Sequence, residues 1–390
     1  MTESAVAVPA ARGSAVSGKP LRIAVVAAGS HIFQAAHVPA LAAIGAEVVG
    51  VFDAAPGRAA AVGAAHGWPV ADDLDDLLRR DADAVVVCAP HPLHREIVLR
   101  CLAAGRAVLV EKPIAPRVGE ADEMAAAAAA AGRPVAVVHQ HRLRDEVVAA
   151  HRLIREGGIG RIHRAVVVAS YPKRSVYYTD TPWRGTWAGE GGGVLLNQGL
   201  HDIDVLVHLV GSPHRLAATM HTHVHPIQTE DTADLLLEWA DGATGSVHIT
   251  SAAALGRNRL EIHGSAGSLR LTAAGLEVRR AGNDFDEFAA APGGHFDAFD
   301  VSDWRLDVPA GHGTHTDVYA DFARAVAGMD EPAVSVSSAR AAVEVIAAAS
   351  VAAAEGRWVA LPLDSAVHDA FLDAAIAAAT EHPTEREVAR

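Results

Sequence analysis

A chain of 390 residues, half of them hydrophobic and about a fifth charged, is long enough for two domains with cores of their own and is not the composition of a disordered polymer. Its 33 basic and 47 acidic side chains leave a formal charge of −14, which argues against nucleic acid as the main partner, because phosphate neutralisation needs a basic surface. Two cysteines, Cys88 and Cys101, in no CxxC spacing argue against a disulfide framework and point to a reducing, cytoplasmic setting.

Residues 1–20, MTESAVAVPAARGSAVSGKP, lack a basic start followed by an unbroken apolar stretch, so they read as a flexible tail rather than a signal peptide. No run approaches the roughly 18 apolar residues of a membrane span, and no membrane partner is expected. From 21 to 140 short apolar runs, RIAVVA, EVVGVFD, AVVVCAP, AVLVEKP and PVAVVHQ, alternate with helical stretches that often end at glycine. Near-continuous Val/Ile/Leu runs separated by helices predict strands buried on both faces, hence a parallel α/β sheet of the Rossmann type.

Beyond 141 the pattern changes. RIHRAVVVASY, RLAATMHTHVH, TADLLLEWA, GATGSVHITSA, RLEIHG, SLRLTAAG and LEVRR follow two helical segments. Turn signals between them predict a mainly antiparallel sheet with an open face in an α/β domain over 141–362. Two helices, DVYADFARAVAGM and SARAAVEVIAAASVAAAEG, close that domain, and 363–390 reads as a further helix and a charged tail.

The turn after the first strand, AAGSHIFQAAH (residues 27–37), stands where a dinucleotide-binding domain keeps three glycines, yet only Gly29 is present. Two registers against GxGxxG are open: Ala27, Gly29 and Ile32, or Ala28, Ser30 and Phe33. A large side chain at the third place should loosen helix–strand packing or force a wider turn. Pyrophosphate contacts are expected from Ala28, Gly29, Ser30, His31, Ile32 and Phe33, chiefly their backbone amides, with the helix N-terminus behind them.

Asp53, ending GVFD 24 positions after Gly29, either accepts both ribose hydroxyls of an adenosine, favouring NAD over NADP, or caps a turn. Arg58 either meets a phosphate or is a solvated helix charge. The turn APHPLH (Ala89, Pro90, His94) and the string EKP (Glu111, Lys112, Pro113) follow strands, at the ends where open α/β sheets bind ligands. A lysine there can stabilise a developing alkoxide; the bland alternative is a solvent lysine.

In TPWRGTWAGEGGGVLLNQGLHDIDVLVHLVG (181–211), Gly191 to Gly193 precede a helix that places Asn197 and His201 on one face near its N-terminal end. His201 is either the proton carrier of a redox reaction at a carbinol or a buried histidine satisfied by Asp204. Arg184 either recognises a carboxylate or phosphate or forms a structural ion pair. His221, His223 and His225 alternate along an expected strand, but nothing completes a zinc tetrahedron, so no metal is expected. His312 and His315 are further candidates to reach the pocket from the C-terminal region.

These stretches, in this order and spacing, resemble the Gfo/Idh/MocA oxidoreductases. VFD, APHPLH, VLVEKP, WRGTWAGEGGGVLLNQGLHDID, EDTADLLLEWADGATGSV, LEIHGSAGSLRL and GRWVALPL carry the likeness over residues 21 to about 362. The resemblance implies a Rossmann domain, a second domain whose open sheet serves homo-oligomerisation as a dimer or tetramer, and hydride exchange between NAD, or NADP, and a sugar, cyclitol or related polyol. It assigns Lys112 to the lysine of EKP and His201 to the general acid/base. Asn197 replaces the family's usual aspartate and can orient a hydroxyl without accepting its proton. Trp183 and Arg184 match a WR pair walling cofactor or substrate. Gln140 and His141 fall where relatives face the pocket with a polar pair, and Tyr177 and Tyr178 are candidates for the substrate rim. Two alternatives stay open: a relative using bound NAD for transient oxidation, and a nucleotide-binding regulator without turnover.

Overall fold

A computed structural model describes residues 19–254, 256, 258–305, 308 and 311–381; nearly all of the expected N-terminal tail and the charged end at 382–390 lie outside the described residues. The chain divides into two compact units.

The first holds the described residues up to Leu143 together with His312–Val343. Its strands are β1 (Arg22–Val26), β2 (Glu47–Phe52), β3 (Ala84–Val87), β4 (Ala107–Val110) and β5 (Val135–Val137), all parallel, in the order β2-β1-β3-β4-β5. Every residue of β3 and β4 is buried, which is why both read as unbroken aliphatic runs rather than alternating ones. The strand order reverses beside β1, and the crevice outside the carboxyl ends at such a switch point is where nucleotides bind.

The sequence reading put everything from 141 to 362 in the second domain, whereas His312–Val343 belongs with the first unit. The cause is the apolar face of helix His315–Val326: Val318, Tyr319 and Phe322 join Ile23, Phe33, Leu41 and Val86 in one core. A capping box between Thr314 and Asp317 fixes where that helix begins.

The second unit holds the described residues of Arg144–Gly311 and those from Glu344 to Glu381. Its sheet has nine strands: β6 (Ile162–Ser170), β7 (Arg215–His221), β8 (Thr232–Glu238), β9 (Thr244–Thr250), β10 (Arg259–Gly264), β11 (Gly267–Thr272), β12 (Gly275–Ala281), β13 (Val301–Arg305) and β14 (Val359–Ala360). The order is β13-β12-β11-β10-β6-β9-β8-β7-β14, antiparallel except for the parallel pair β6–β9. Burial alternates along β8 and β9, with Leu236 left 57% exposed on the outer face.

Among the described residues one helix, Val336–Glu355, is long and apolar enough to cross a membrane, which the sequence reading missed. Here it is a core helix: Ala342, Val343, Val345, Ala348 and Val351 are all buried.

Candidate active site

In the first unit the cofactor loop begins with Ala27 at φ 60°, a left-handed turn normally left to glycine. The Gly29 amide donates to Asp53 Oδ2 at 2.9 Å, and the Ala55 amide donates to Oδ1 at 2.9 Å. A Cβ on Gly29 would lie 2.6 Å from Arg58 Cβ and 2.8 Å from Asp53 Oδ2, so this position is closed to side chains. Asp53 therefore braces the loop; a carboxylate has about four lone-pair sites, so acceptor capacity remains for ribose hydroxyls.

The Ser30 amide donates to Ala27 O and the Phe33 amide to Ser30 Oγ, while His31 and Ile32 are exposed. Phe33 is fully buried, which favours the register Ala28, Ser30, Phe33. The expected wider turn is present: Phe33–His37 winds as a π-type stretch before α-helix Val38–Ala43 takes over. Replacing Asp53 by serine should loosen this loop and raise the dissociation constant for NAD roughly 10–100-fold, the worth of charge-assisted hydrogen bonds. Calorimetric titration with NAD and NADP would check both the loss and the narrowing of preference.

At the ends of β3 and β4, His94 is fully buried between Ala89 O (2.8 Å) and Pro113 O (2.9 Å). Burial pushes its pKa down despite those carbonyls, and a neutral ring has one N–H to give, so His94 donates to one of the two carbonyls and packs between the loops that carry them. It is a brace, not the cofactor contact the sequence suggested. Pro90 is exposed and Lys112 half-buried.

Glu111 is also inside. Its Oε1 lies 2.9 Å from His37 Nε2 and 3.5 Å from His315 Nε2, and its Oε2 accepts the Lys112 amide at 3.1 Å. Burial works against its charge, but the imidazoles of His315 and His37 beside it outweigh that and hold the carboxyl well below the usual range. After β5, Gln140 and His141 are half-buried, and Gln140 Oε1 is an acceptor with no partner among the described residues. An orphaned acceptor after β5, a closed glycine after β1 and an acidic residue after β2, all following carboxyl ends of one parallel sheet, fit a nicotinamide dinucleotide.

In the second unit the glycine-rich block is locked by two glutamates that sequence reasoning passed over. Glu230 accepts the Gly193 amide at 2.9 Å and the Leu195 amide at 3.0 Å, capping the turn Val194–Asn197. A Cβ on Gly193 would sit 1.9 Å from Glu230 O, so only glycine fits. Burial raises the Glu230 pKa to about 7, although its backbone hydrogen bonds oppose the shift.

A carboxyl whose folded pKa exceeds its unfolded value stabilises fully below pH 4.5, and that contribution is lost as pH rises through about 7. The difference is worth about 3 kcal/mol at most. Glu230→Gln should flatten this part of the stability–pH profile, measured by urea unfolding on either side of the window.

Glu190 is the second. Its Oε2 accepts the Gly185 amide at 2.5 Å and its Oε1 accepts Asn197 Nδ2 at 2.5 Å. Asn197 Nδ2 also reaches Tyr177 Oη at 3.3 Å, and Gln198 donates to the same hydroxyl at 3.1 Å. The Asn197 amide is thereby fixed in orientation.

Asn197 and His201 are not on one regular helix, as spacing implied. Asn197 ends one turn, and His201 is the second residue of helix Leu200–Val210, although Gln198 and Gly199 keep right-handed helical backbone angles. His201 is half-buried and Asp204 fully buried.

Arg184 lies 4.1 Å from the Tyr177 ring centroid and 5.3 Å from that of Trp183, and Lys173 Nζ is 4.9 Å from Tyr177. Burial and then the Arg184 charge lower the Lys173 pKa, so two cations converge on one ring. Tyr178, by contrast, is buried with its hydroxyl 3.0 Å from Ser251 Oγ and belongs to the core.

The histidine row does not form. β7 ends at His221, because Asp231 takes the amides of His223, Val224 and His225, and His225 is buried near Tyr178.

A parallel nucleotide-binding sheet joined to a mostly antiparallel nine-stranded one defines a two-domain dinucleotide-dependent oxidoreductase. Residues 21–139 match the oxidoreductase family with the NAD-binding Rossmann fold, and 147–270 match the GFO/IDH/MocA C-terminal domain. The chain is 31% identical over 240 residues to 1,5-anhydro-D-fructose reductase from Ensifer adhaerens, covering 60% of this chain and 70% of that protein. It is 32% identical over 278 residues to inositol 2-dehydrogenase 2 from Saccharopolyspora erythraea, covering 66% and 78%. Its fold is similar to the crystal structure of the WlbA dehydrogenase from Bordetella pertussis in complex with NADH and UDP-GlcNAcA, with a TM-score of 0.75, 28% identity, and 89% and 100% of the two chains covered. The chain belongs to the GFO/IDH/MocA family and is an oxidoreductase with an NAD-binding Rossmann domain.

Proposed function

We propose that this enzyme oxidises or reduces one CH–OH centre of a sugar, cyclitol or related polyol, with His201 as general acid/base, Lys112 assisting and Asn197 positioning the substrate. NAD, when bound, supplies the two-electron acceptor or donor. Asp53 would hold its adenosine ribose, the loop from Ala28 to Phe33 its pyrophosphate, and Gln140 Oε1 would accept from a polar group of the bound cofactor.

The observation that carries the proton-transfer assignment is the Asn197–Glu190 hydrogen bond. It commits the amide where relatives place an aspartate, and Asn197 cannot take up a proton. That leaves the half-buried His201 imidazole as the group of this block suited to moving a proton near neutral pH. Lys112 would lower the energy of a developing alkoxide by its charge. Tyr177, Arg184 and His141 would form the substrate rim, and the paired cations on the Tyr177 ring favour a substrate bearing an anionic group. The names of the relatives, a reductase of an anhydro sugar and an inositol dehydrogenase, support the polyol class.

The enzyme would work in the cytoplasm as a homo-oligomer through the outer sheet face that carries Leu236. Following NADH formation over a panel of neutral and acidic sugars tests the reading. Product formation without stoichiometric NADH release would replace it by transient oxidation, and failure of NAD and NADP to bind would overturn it.

A further inference from the structure

We propose that His37, Glu111 and His315, with Cys88 beside them, form a binding site for one divalent transition-metal ion, zinc above the others. The four residues come from separate parts of the first unit: the helix after the cofactor loop, the ends of β3 and β4, and the first turn of His315–Val326. His37 is fully buried, Glu111 nearly so, and His315 half-buried.

The distances suit a tetrahedral ion. Bonds of about 2.0–2.2 Å to nitrogen and oxygen place neighbouring ligand atoms roughly 3.4 Å apart. Glu111 Oε1 is 2.9 Å from His37 Nε2 and 3.5 Å from His315 Nε2, and the three donor atoms all lie within 4.8 Å of one another. The widest separation, no more than 4.8 Å, would close by at most about 1.4 Å to reach that spacing. Cys88 Sγ, 3.7 Å from His37 Nε2, stands beside this cluster but outside it, and would complete the set by turning toward the ion to make a zinc–sulfur bond of about 2.3 Å. Two imidazoles, a carboxylate and a thiolate are donors that zinc accepts together; on binding, Cys88 would release its thiol proton to solvent.

The surroundings are those of a metal ligand. His37 Nδ1 lies 2.8 Å from the buried hydroxyl of Tyr319. With its proton on Nδ1 and donated to Tyr319, His37 turns its Nε2 lone pair onto the Glu111 carboxylate, an arrangement that a cation between them makes favourable. The metal-free arrangement instead puts the proton on Nε2 and has Tyr319 donate to Nδ1. The ion would clip the cofactor loop's helix to the strand end that carries Lys112, a structural role independent of the substrate reading.

Metal analysis of the tag-free full-length protein, grown with added zinc and dialysed, decides between them. The expected result is about one zinc per chain, lost in His315→Gln and retained in the His221→Gln/His223→Gln pair. Cobalt(II) added to the stripped protein should give visible d–d bands, with a sulfur-to-metal charge-transfer band that Cys88→Ser removes. Zinc should also raise the Tm of stripped wild-type protein but not of His315→Gln, a comparison that holds if the variant binds nothing yet stays folded. Less than about a tenth of an equivalent with no cobalt spectrum would overturn the proposal, as would metal that follows His221 and His223.

Discussion

Replacing His201 by alanine should leave NAD binding intact and cut kcat by about 10²–10⁴-fold, the range that a positioned general acid/base supplies. The imidazole stands in the first full turn of helix Leu200–Val210, and the turn before it is pinned by Glu230 on the Gly193 and Leu195 amides. Truncation at Cβ leaves that scaffold untouched, so stability should hold while turnover falls. The pH dependence of kcat should lose the limb that reports the proton carrier. Single-turnover and steady-state rates on any accepted polyol, beside calorimetric NAD affinity, make the measurement. Unchanged turnover would remove His201 from the chemistry.

Lys112→Met should lower kcat/KM by about 10²–10³-fold, the loss seen when one donor to a developing oxyanion is removed. The residue follows a carboxylate that lies beside His37 and His315 inside the unit, so its backbone is fixed by the hydrogen bond from its own amide to Glu111 Oε2 as well as by β4. Methionine keeps the length of the stem and deletes the charge. Lys112→Arg should recover only part of the activity, because a planar fork does not replace a compact ammonium. Full recovery would show that charge alone is needed there.

What the sequence disclosed follows from how local each cause is. β3 and β4 were legible because burial on both faces leaves only aliphatic residues, and the second sheet because its strands alternate. β13 and the two-residue β14 were missed: short edge strands are set by their neighbours rather than by their own pattern. The return of His315–Val326 to the first core was hinted at only by His315, which lies against Glu111, since an amphipathic helix does not name the surface it covers.

The site shows the same division. Asp53 stood out because a strand end is a readable place, but its grip on the Gly29 amide did not. Glu190 and Glu230 went unnoticed, as a glutamate in sequence looks solvent-bound until its distant amide partners are known. The histidines of 221–225 looked like one strand face, and a single aspartate ten positions from the first of them, Asp231, bent the chain away.

The helix that carries Tyr319 and Phe322 has a consequence for how the protein is made. Phe33 and Leu41 share their core with side chains that leave the ribosome only after β6 to β13 have been synthesised. The nucleotide-binding half thus cannot close its core until His315–Val326 has been made, and its apolar face waits uncovered while β6 to β13 are synthesised. Domains usually fold in the order of their synthesis; here the first half waits for a segment made after most of the second, and the second still needs Glu344 onward.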